Sequence, residues 1–414
     1  MLNPYHSSAP ELEASIPHDP VFLSERVEAF YREREINPVV GGNLLEGRIP
    51  GEDDILLLSN DYLSLAKHPS ILAAQAEALN TLGHGVLRSA VFLLGDNPVK
   101  NLESALGRHM GGEDGLLSQS GWCANTGLIQ SIADEATPVY LDMFAHMSLW
   151  EGVKSAGATP RPFRHNSADS LDKLIAKHGP GVVVVDSVYS TSGSVCPLAE
   201  IVEVGEQYGC VIVVDESHSL GVYGSKGEGM VEELGLSGRV HFRTSSLSKA
   251  FAARGGIIVG SARNIKYLRY RSLPAIFSSA LLPHEIAGLQ ATLTVIRQES
   301  HRREKVLGNS AFLRNRLNEL GYDVGADHSP IIALVRGAEE KSILLRNALE
   351  SRGVFGSPFC DPATPKNRSL IRFTVNADHR LEQLEQVVAV CEEIRGEVRM
   401  EEWPQIRKRS FGMN

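Results

Sequence analysis

Short apolar runs alternate with helical segments along the chain from residue 55 onward. Six runs predict strands, at residues 55–58, 115–117, 139–142, 182–186, 211–215 and 255–259. Continuous apolar runs of this length are typical of strands buried on both faces, as in a mostly parallel sheet covered by helices. The pattern therefore predicts an α/β domain, and ligands of such domains bind at the carboxyl ends of the strands.

A second region follows a long helix predicted over residues 283–320. It has predicted strands at 331–335 and 371–375 and predicted helices at 341–351 and 381–397, an order typical of a smaller α+β domain. We expect four parts: an N-terminal arm with one helix at 21–34 (residues 1–54), a large domain (55–295), a small C-terminal α+β domain (296–400) and a basic tail (401–414).

Composition and charge narrow the class of protein. Of the 414 residues, 43% are hydrophobic and 22% are charged, which are ordinary values for a globular chain. The net charge of −9 argues against a nucleic acid or an anionic membrane surface as a partner. The apolar runs are far shorter than the ~20 residues of a membrane span, and the N-terminus does not resemble a secretory signal. We therefore expect a cytoplasmic protein.

The cysteines point to no metal or redox site. Five of them are scattered along the chain without a Cys-x-x-Cys pair. We expect reduced thiols with structural roles and no bound metal.

Lys249 lies in an unusual setting for a lysine. It follows four hydroxyl residues and precedes Ala250 and Phe251; the hydroxyl residues are Thr244, Ser245, Ser246 and Ser248. A lysine in such a charge-poor segment can have a lowered pKa, which suits it to form a Schiff base. Most lysines are solvated, so this residue alone is weak support for a catalytic site.

Asp215 and His218 strengthen that interpretation. Asp215 ends the apolar run 211–215, and a buried carboxylate needs a cationic partner. The protonated pyridine nitrogen of pyridoxal phosphate is one such partner. His218 lies three residues later, within reach of the ring or of a substrate carbonyl. The alternatives are that Asp215 caps a helix and that His218 is a surface residue.

His146, Gly121 and Trp122 are further candidates. The flat ring of His146, which follows the run ending at Asp142, is suited to stack on a cofactor. Gly121 and Trp122 lie in a glycine-containing turn before an apparent helix, where free backbone amides attract a phosphate. A plain loop is the alternative for this turn.

Taken together, these motifs resemble one family. The ordered segments NDYL, SGWCAN, DSVYSTSGSVCPL, VVDESHSLGVYG, SSLSKAFA and IRFTVN resemble the α-oxoamine synthases over residues 60–391. These are pyridoxal-phosphate enzymes of fold type I, the aspartate aminotransferase-like α/β fold. Segments such as FAHMSLWEG and GVFGSPFCDPATPKN look most like the quorum-sensing autoinducer synthases of the CqsA type, which make α-aminoketone or α-hydroxyketone signals.

The resemblance implies a role for each ring-binding residue. Lys249 would hold pyridoxal phosphate as a Schiff base and move the substrate Cα proton. Asp215 would pair with the pyridine nitrogen, His218 would bond O3′, Ser190 would lie near O3′, and His146 would stack on the ring.

It also implies residues for the phosphate and for the substrate. Ser246 would bind the phosphate with the amides of Gly121 and Trp122, and Ser278 and Ser279 would reach the phosphate of the partner subunit in a homodimer. For the substrate, the expected carboxylate ligands are Arg372 and possibly Asn60, although a lone strand arginine is more often an ordinary surface residue.

Two departures from the family concern the acyl donor. The family's glycine-rich segment with an arginine survives only as GHGVLRSA, and Lys100 stands where a histidine is usual. The basic group Arg161, Arg164 and His165 is a candidate for binding the phosphates of coenzyme A, and a solvated loop is the alternative.

The expected activity is condensation of an amino-acid-type donor with an acyl-CoA, of medium chain length if the resemblance holds. The products are coenzyme A, CO₂ and an α-aminoketone. The alternatives are the synthesis of 8-amino-7-oxononanoate, 2-amino-3-ketobutyrate or 5-aminolevulinate by the same chemistry, and a regulatory protein that binds the cofactor without turnover.

Overall fold

The structure is a computed structural model that describes residues 18–34 and 42–403. Residues 1–17 and 35–41 of the predicted arm and residues 404–414 of the predicted basic tail lie outside the described residues. The helices are α1 (Val21–Arg34), α2 (Pro69–Leu82), α3 (Pro98–His109), α4 (Gly121–Ile132), α5 (Met147–Ser155), α6 (Ala168–His178), α7 (Leu198–Gln207), α8 (Met230–Glu233), α9 (Ala262–Arg269), α10 (Leu273–Phe277), α11 (Pro283–Gln298), α12 (Ser300–Glu319), α13 (Glu339–Glu350) and α14 (Leu381–Glu393).

The strands form a large and a small sheet. They are β1 (Ile55–Leu57), β2 (Asp114–Ser118), β3 (Pro138–Asp142), β4 (Thr159–Phe163), β5 (Val182–Asp186), β6 (Val211–Asp215), β7 (Phe242–Ser246), β8 (Gly256–Gly260), β9 (Ile331–Gly337), β10 (Val354–Phe359) and β11 (Ser369–Thr374). Within the described residues no helix is both long and apolar enough to span a bilayer.

The large sheet has seven strands in the order β2-β8-β7-β6-β5-β3-β4. Its strands β3 to β7 run parallel, whereas β8 is antiparallel to both of its neighbours. Strands β5 and β6, apolar except for the aspartate that ends each of them, lie near the middle of the sheet, where both faces are covered. This architecture confirms the predicted α/β fold with a mostly parallel sheet.

The small sheet has the order β1-β10-β11-β9. Strand β1 pairs in parallel with β10, so the first predicted strand belongs here and not in the large sheet. The helix predicted over 283–320 is two helices, because Glu299 has non-helical backbone angles of φ −105° and ψ 63°. We propose that the smaller domain includes β1 together with the region after α11.

His109, at the end of α3, is buried and electrically neutral. Its Nε2–H donates to the carbonyl of Gly227 at 3.1 Å, and Arg297 Nε donates to its Nδ1 at 3.2 Å. Burial, followed by the charge of Arg297, lowers the pKa of His109 from 6.5 to about 4. The two bonds fix one neutral tautomer, because a protonated ring could not accept from Arg297.

We expect this histidine to make the fold sensitive to acid. Between pH 6.5 and 4 the unfolded chain binds a proton at His109 and the folded chain does not, so stability falls as the pH falls. From pH 7 to pH 5 this loss is about 2 kcal/mol. Urea unfolding measures the free energy of unfolding at pH 7 and at pH 5. The difference between these two values should be about 2 kcal/mol smaller in His109→Gln. An unchanged pH dependence in the variant would contradict the assignment.

Candidate active site

A cavity of about 220 Å³ lies at the carboxyl ends of β5 and β6 and beside the turn after β7. Seven of the residues predicted to bind the cofactor line it: Gly121, Trp122, His146, Asp215, His218, Ser246 and Lys249. Five more residues complete the lining: Ser120, Asn125, Asp186, Ser217 and Ser248. The structure therefore brings together side chains that are up to 129 positions apart in the sequence, those of Ser120 and Lys249.

Lys249 lies in the turn that follows β7 and is half-buried. Its Nζ is 3.1 Å from Nε2 of His218. Desolvation lowers the pKa of Lys249, and this outweighs the opposing effect of the Asp215 charge. A lowered pKa increases the fraction of neutral amine, which is the nucleophilic and basic form.

His218 connects Lys249 to a tyrosine from a distant segment. The Oη of Tyr62 is 2.5 Å from Nδ1 of His218, and both residues are buried. Burial, and then the charge of Lys249, holds the pKa of His218 well below its usual range, so the ring is neutral. When Lys249 donates to Nε2, the ring donates its Nδ1 proton to Tyr62. Sequence reasoning missed Tyr62, although it lies within the NDYL motif.

Asp215 is a buried carboxylate at the end of β6. Its Oδ2 accepts from Asn125 Nδ2 at 2.6 Å, and its Oδ1 accepts from the backbone N–H of Ser217 at 2.8 Å. In the described part of the chain, no Lys, Arg or His nitrogen lies within 4.0 Å of this carboxylate. A protonated pyridine nitrogen would provide the cation that such a carboxylate requires.

Asp186 is a second buried carboxyl group beside Asp215. It ends β5 and is paired in register with Asp215 of β6. Burial, and then the Asp215 charge, raises the pKa of Asp186 well above its usual value. The raised pKa favours the protonated form of Asp186, which adds no second negative charge to the cavity. Its Oδ1 accepts from the backbone N–H of His146 at 3.2 Å.

His146 caps the N-terminus of α5 and lies at the rim of the cavity. Its Nδ1 is 2.7 Å from Ser148 Oγ and accepts from the Ser148 backbone N–H at 3.3 Å. Asn125 Nδ2 donates to the same Ser148 hydroxyl at 2.8 Å and so links His146 to Asp215. Although His146 is exposed as a residue, desolvation by the surrounding protein lowers the pKa of its ring. The proton of the neutral ring therefore lies on Nε2.

The first turn of α4 provides free backbone amides beside the hydroxyl of Ser246. Ser120 caps the helix by accepting from the N–H of Cys123 at 3.1 Å, which leaves the amides of Gly121 and Trp122 available. A Cβ at Gly121 would lie 2.6 Å from Cβ of Ser246, so only glycine lets the helix approach this closely. This amide-rich corner suits a phosphate group.

Arg372 lies on β11 and is buried beside the cofactor cavity. Its Nη1 donates to the carbonyl of Ser190 at 2.7 Å, and its Nη2 donates to Asn60 Oδ1 at 3.1 Å. The guanidinium also lies 4.7 Å from the ring centroid of Phe359. Its Nε is buried without a hydrogen-bond partner. The structure thus brings Arg372, Asn60 and Ser190 together, and the guanidinium N–H groups that these two bonds leave unused, the buried Nε–H among them, are available to an anion.

A larger cavity of about 700 Å³ adjoins the first and shares Ser120 and Ser248 with it. Asn60 and the exposed Arg254 are among its lining residues. Asp61 also lines it, and its carboxylate accepts from the backbone N–H groups of Leu65 and Ala66, each at 2.8 Å.

Ser278, Ser279 and Lys100 line neither cavity of their own chain, although Gln119, which bonds Ser279, lines the larger one. Ser278 follows α10 and donates to the carbonyl of Pro274, and the Ser279 carbonyl accepts from Gln119. Lys100 lies 3.9 Å from Glu103, in an ion-pair cluster with Arg269.

The basic group of residues 161–165 also lies away from both cavities. Arg161 contacts His178 at 3.3 Å, and His165 contacts Asp142 at 2.9 Å. Neither of these residues, nor Arg164, lines either cavity.

The cavity is suited to pyridoxal phosphate on its own geometry. It has a half-buried lysine for the aldehyde, a buried carboxylate without a cation for the ring nitrogen, and a helix start with a hydroxyl for the phosphate. Within the described residues, no cluster of His, Cys, Asp and Glu is arranged to bind a metal ion.

Comparisons with known proteins agree with this geometry. The family model for aminotransferase class I and II matches residues 52–390. The chain is 42% identical to the CAI-1 autoinducer synthase of Vibrio campbellii, covering 90% of this chain and 95% of that protein. It is 30% identical to the 8-amino-7-oxononanoate synthase of Alkaliphilus metalliredigens, covering 91% and 97%.

Solved structures give the same result. Serine palmitoyltransferase of Sphingomonas wittichii superposes with a TM-score of 0.81 at 29% identity, covering 92% of this chain and 97% of that one. Another similar structure is described as serine palmitoyltransferase with pyridoxal phosphate, with a TM-score of 0.81 and 28% identity. The chain belongs to the aminotransferase class I and II family and, within it, to the pyridoxal-phosphate-dependent α-oxoamine synthases, which are acyltransferases.

Proposed function

We propose that this protein is an autoinducer synthase acting in the cytoplasm. It condenses an α-amino acid with a medium-chain acyl-CoA to give an α-aminoketone, coenzyme A and CO₂. The observation that carries the amino-acid half is Arg372, a buried guanidinium beside the catalytic cavity with an unpaired Nε. The identity of 42% to a CAI-1 autoinducer synthase favours this product class over that of the relative at 30%.

Each residue of the cavity has a separate role in this reaction. Bound pyridoxal phosphate supplies the electron sink for the negative charge that develops at the substrate Cα. Lys249 Nζ removes and returns the Cα proton, a role favoured by its lowered pKa. The neutral ring of His218 accepts from Lys249 and, backed by Tyr62, holds its Nζ in place. Asp215 stabilises the positive charge on the ring nitrogen.

The remaining predicted residues hold the ligands in position. The amides of Gly121 and Trp122 and the hydroxyl of Ser246 bind the phosphate, and His146 covers the ring. Ser190, beside Arg372, would lie near O3′, and Arg372 with Asn60 would bind the substrate carboxylate bidentately.

A panel of substrates tests the proposal directly. The holoenzyme is incubated with glycine, L-alanine, L-serine or L-2-aminobutyrate and with acetyl-, succinyl-, pimeloyl-, octanoyl- or decanoyl-CoA, and the products are identified by mass. We expect aminoketones from the eight- and ten-carbon donors, because each buried CH₂ adds about 0.8 kcal/mol of binding free energy. Better use of acetyl- or succinyl-CoA would refute the autoinducer assignment. Pimeloyl-CoA as the best donor would identify an 8-amino-7-oxononanoate synthase instead.

We propose that Arg254 binds the phosphates of coenzyme A at the larger cavity. It is exposed and is the one lysine or arginine among the residues that line this cavity. The Asp61 carboxylate in the same lining is already bonded to two backbone amides. Because Arg161 and Arg164 line neither cavity, Arg254 replaces them as the candidate.

Arg254→Ala should raise KM for decanoyl-CoA about tenfold, the effect of losing a hydrogen bond to a charged group, and leave kcat nearly unchanged. KM for the decanoyl thioester of pantetheine, which lacks the phosphates, should not change. Arg161→Ala and Arg164→Ala serve as matched controls. Equal effects of the Arg254 substitution on both thioesters would show that this side chain does not contact the phosphates.

We propose that the enzyme is a homodimer with its active sites at the interface. Ser278 and Ser279 lie outside the cofactor cavity of their own chain, so a partner subunit is the available route to a phosphate. Large apolar side chains near these serines are exposed: Val86, Leu87, Leu94 and Phe277 are between 68% and 79% accessible. Exposed apolar surface of this kind marks protein interfaces.

Complementation checks the shared site. Co-expression of an inactive Lys249→Ala chain with a Ser278→Ala/Ser279→Ala chain should restore about a quarter of the activity, because one site in mixed dimers is then intact. Each chain expressed alone is the control. Mixed dimers that form without activity would show that each site is built from one chain.

A further inference from the structure

A polar cluster outside the two cavities joins the ends of β3 and β4 to the loop after β5. Asp142 is fully buried, and its Oδ1 accepts from His165 Nδ1 at 2.9 Å. Its Oδ2 accepts from the backbone N–H of Asn166 at 2.8 Å. The cluster continues across to the loop, because His165 Nε2 is 2.9 Å from Ser194 Oγ and Asn166 Nδ2 donates to the Val195 carbonyl at 2.9 Å.

The loop that receives these bonds is a tight hairpin over residues 188–195. Val188 and Val195 pair as an antiparallel bridge, and the N–H of Tyr189 donates to the Ser194 carbonyl at 3.0 Å. The N–H of Gly193 closes the tip by donating to the Tyr189 carbonyl at 2.9 Å. These bonds hold the two arms of hairpin 188–195 together, so the position of Ser194 determines that of Tyr189, which precedes Ser190.

Ser190 in this hairpin holds the side chain of Arg372. Its carbonyl accepts from Arg372 Nη1 at 2.7 Å. On the side of the smaller sheet, Ser329 Oγ donates to the carbonyl of Gly193 at 2.7 Å. His165 thus fixes the hairpin from the large domain, and Ser329 fixes it from the opposite side.

The order Asp142, His165, Ser194 is also that of a nucleophilic hydrolase triad. Ser194, however, lines neither cavity, and its Oγ is 2.6 Å from Ser192 Oγ. The hydroxyls of Ser192 and Ser194 bond each other, Ser194 Oγ bonds His165 Nε2, and His165 Nδ1 bonds Asp142. The cluster is a closed chain of hydrogen bonds with no free nucleophile.

The ring of His165 is held firmly in this chain. It stacks on Phe144 with ring centroids 4.4 Å apart and an interplanar angle of 28°, and it meets the edge of Tyr189 at 4.4 Å. Its Nδ1 and Nε2 therefore keep their directions toward Asp142 and Ser194. Because two aromatic neighbours and two hydrogen bonds hold this ring, it keeps hairpin 188–195 in a fixed position relative to Asp142.

We propose that His165 is a positioning residue that fixes hairpin 188–195 on Asp142 and thereby places the Ser190 carbonyl that orients Arg372. The effect on substrate follows from the proposed function, in which Arg372 binds the carboxylate of the amino acid. The effect on the hairpin itself does not depend on that function.

Two substitutions cut the same contact from opposite sides. In His165→Asn the shorter amide can still donate to Asp142 and no longer reaches Ser194; Ser194→Ala removes only the hydroxyl. In the holoenzyme, hydrogen exchange of the hairpin amides should be about fivefold faster in either variant, the effect of one lost hydrogen bond. KM for L-alanine and L-serine should rise about fivefold, and kcat and KM for decanoyl-CoA should stay within twofold. The double variant should be no worse than either single one.

Ser170→Ala is the matched control. Its hydroxyl accepts from the backbone N–H of Arg164 at 3.1 Å, next to His165 and away from the hairpin. If His165→Asn and Ser194→Ala exchange no faster than Ser170→Ala, the proposal fails. Should His165→Asn not fold, Ser194→Ala carries the test alone.

Arg372→Gln separates the proposed binding of the carboxylate by Arg372 from the positioning of hairpin 188–195 by His165. If it leaves KM for both amino acids unchanged while His165→Asn still accelerates exchange, the proposed role of Arg372 is wrong and the positioning of the hairpin stands. If Arg372→Gln raises KM for the amino acids and neither His165→Asn nor Ser194→Ala does, the inference about His165 is wrong and the proposed function stands.

Discussion

Replacing Lys249 with alanine is expected to abolish turnover and to leave the cofactor removable by dialysis. Lys249 is the one lysine that lines the cofactor cavity, and its lowered pKa suits it both to bond the cofactor aldehyde and to move a proton. Loss of the proton transfer alone costs on the order of 10²–10⁴ in rate. Borohydride treatment of the wild-type enzyme should fix the cofactor on the peptide that contains Lys249, as mass spectrometry of a digest would show.

An exposed lysine provides the control for that experiment. Lys154 is 80% accessible and pairs only with Glu151 at 3.7 Å, so Lys154→Ala should keep both the activity and the labelled peptide. A Lys249→Ala enzyme that still acquired a borohydride-stable cofactor on another lysine would contradict the assignment.

The strands that carry the site could be predicted where the chain is apolar on both faces. Strands β5 and β6 have the predicted bounds, because four consecutive valine or isoleucine residues end in an aspartate in each. Strand β7 was missed, since its sequence Phe-Arg-Thr-Ser-Ser is polar although four of its five residues are buried. Strand β4 was missed for another reason: it is an exposed edge strand with two prolines, which edges tolerate.

The membership of β1 in the small sheet could not be read from the chain. Its apolar run is like those of the large sheet, and it pairs with β10, about 300 residues later. Local pattern specifies that a segment is a strand, and the partner of that strand depends on packing that spans the whole molecule.

A residue of the candidate site could be predicted where the sequence next to it forms an unusual pattern. Asp215 stands out because a carboxyl group ends an apolar run, His218 because it lies three residues later, and Lys249 because it lies in a charge-poor segment. Asp186 ends the run of β5 in the same way, but the sequence does not show that this strand lies beside β6. Tyr62 carries no local signal and lies 156 positions before the ring that it contacts. Asn125 has a usable signal: it lies four residues after Gly121 on α4 and so faces the same side of the helix.

His165 shows the opposite case, in which a visible signal suggested the wrong contact. Its position in a basic segment favoured binding of an acyl-CoA phosphate. In the fold, however, a buried aspartate at the end of β3 accepts from its Nδ1. A basic cluster in sequence therefore predicts an anion-binding surface only where the fold leaves its side chains without internal partners.

Replacing Asp215 with asparagine should lower kcat by a factor of at least about 10², while the protein folds and binds pyridoxal phosphate. The substitution keeps the shape of the side chain and removes the negative charge that stabilises a protonated ring nitrogen. An amide also has one acceptor oxygen, so it cannot satisfy both Asn125 and the Ser217 N–H, which Asp215 bonds at 2.6 and 2.8 Å. Single-turnover kinetics with L-alanine and decanoyl-CoA measure the effect on the chemical steps.

The neighbouring Asp186→Asn variant separates charge from shape. Asp186 ends the adjacent strand, and burial, followed by the charge of Asp215, raises its pKa and so favours the neutral acid. An amide is then a close substitute for the protonated acid, and we expect a loss within about tenfold, because only hydrogen-bond geometry changes. If Asp186→Asn were as damaging as Asp215→Asn, the cofactor would be sensing the shape of this pair rather than the charge of one member. Near-normal turnover in Asp215→Asn would show instead that Asp215 is a strand-end cap whose bonds to Asn125 and Ser217 are structural.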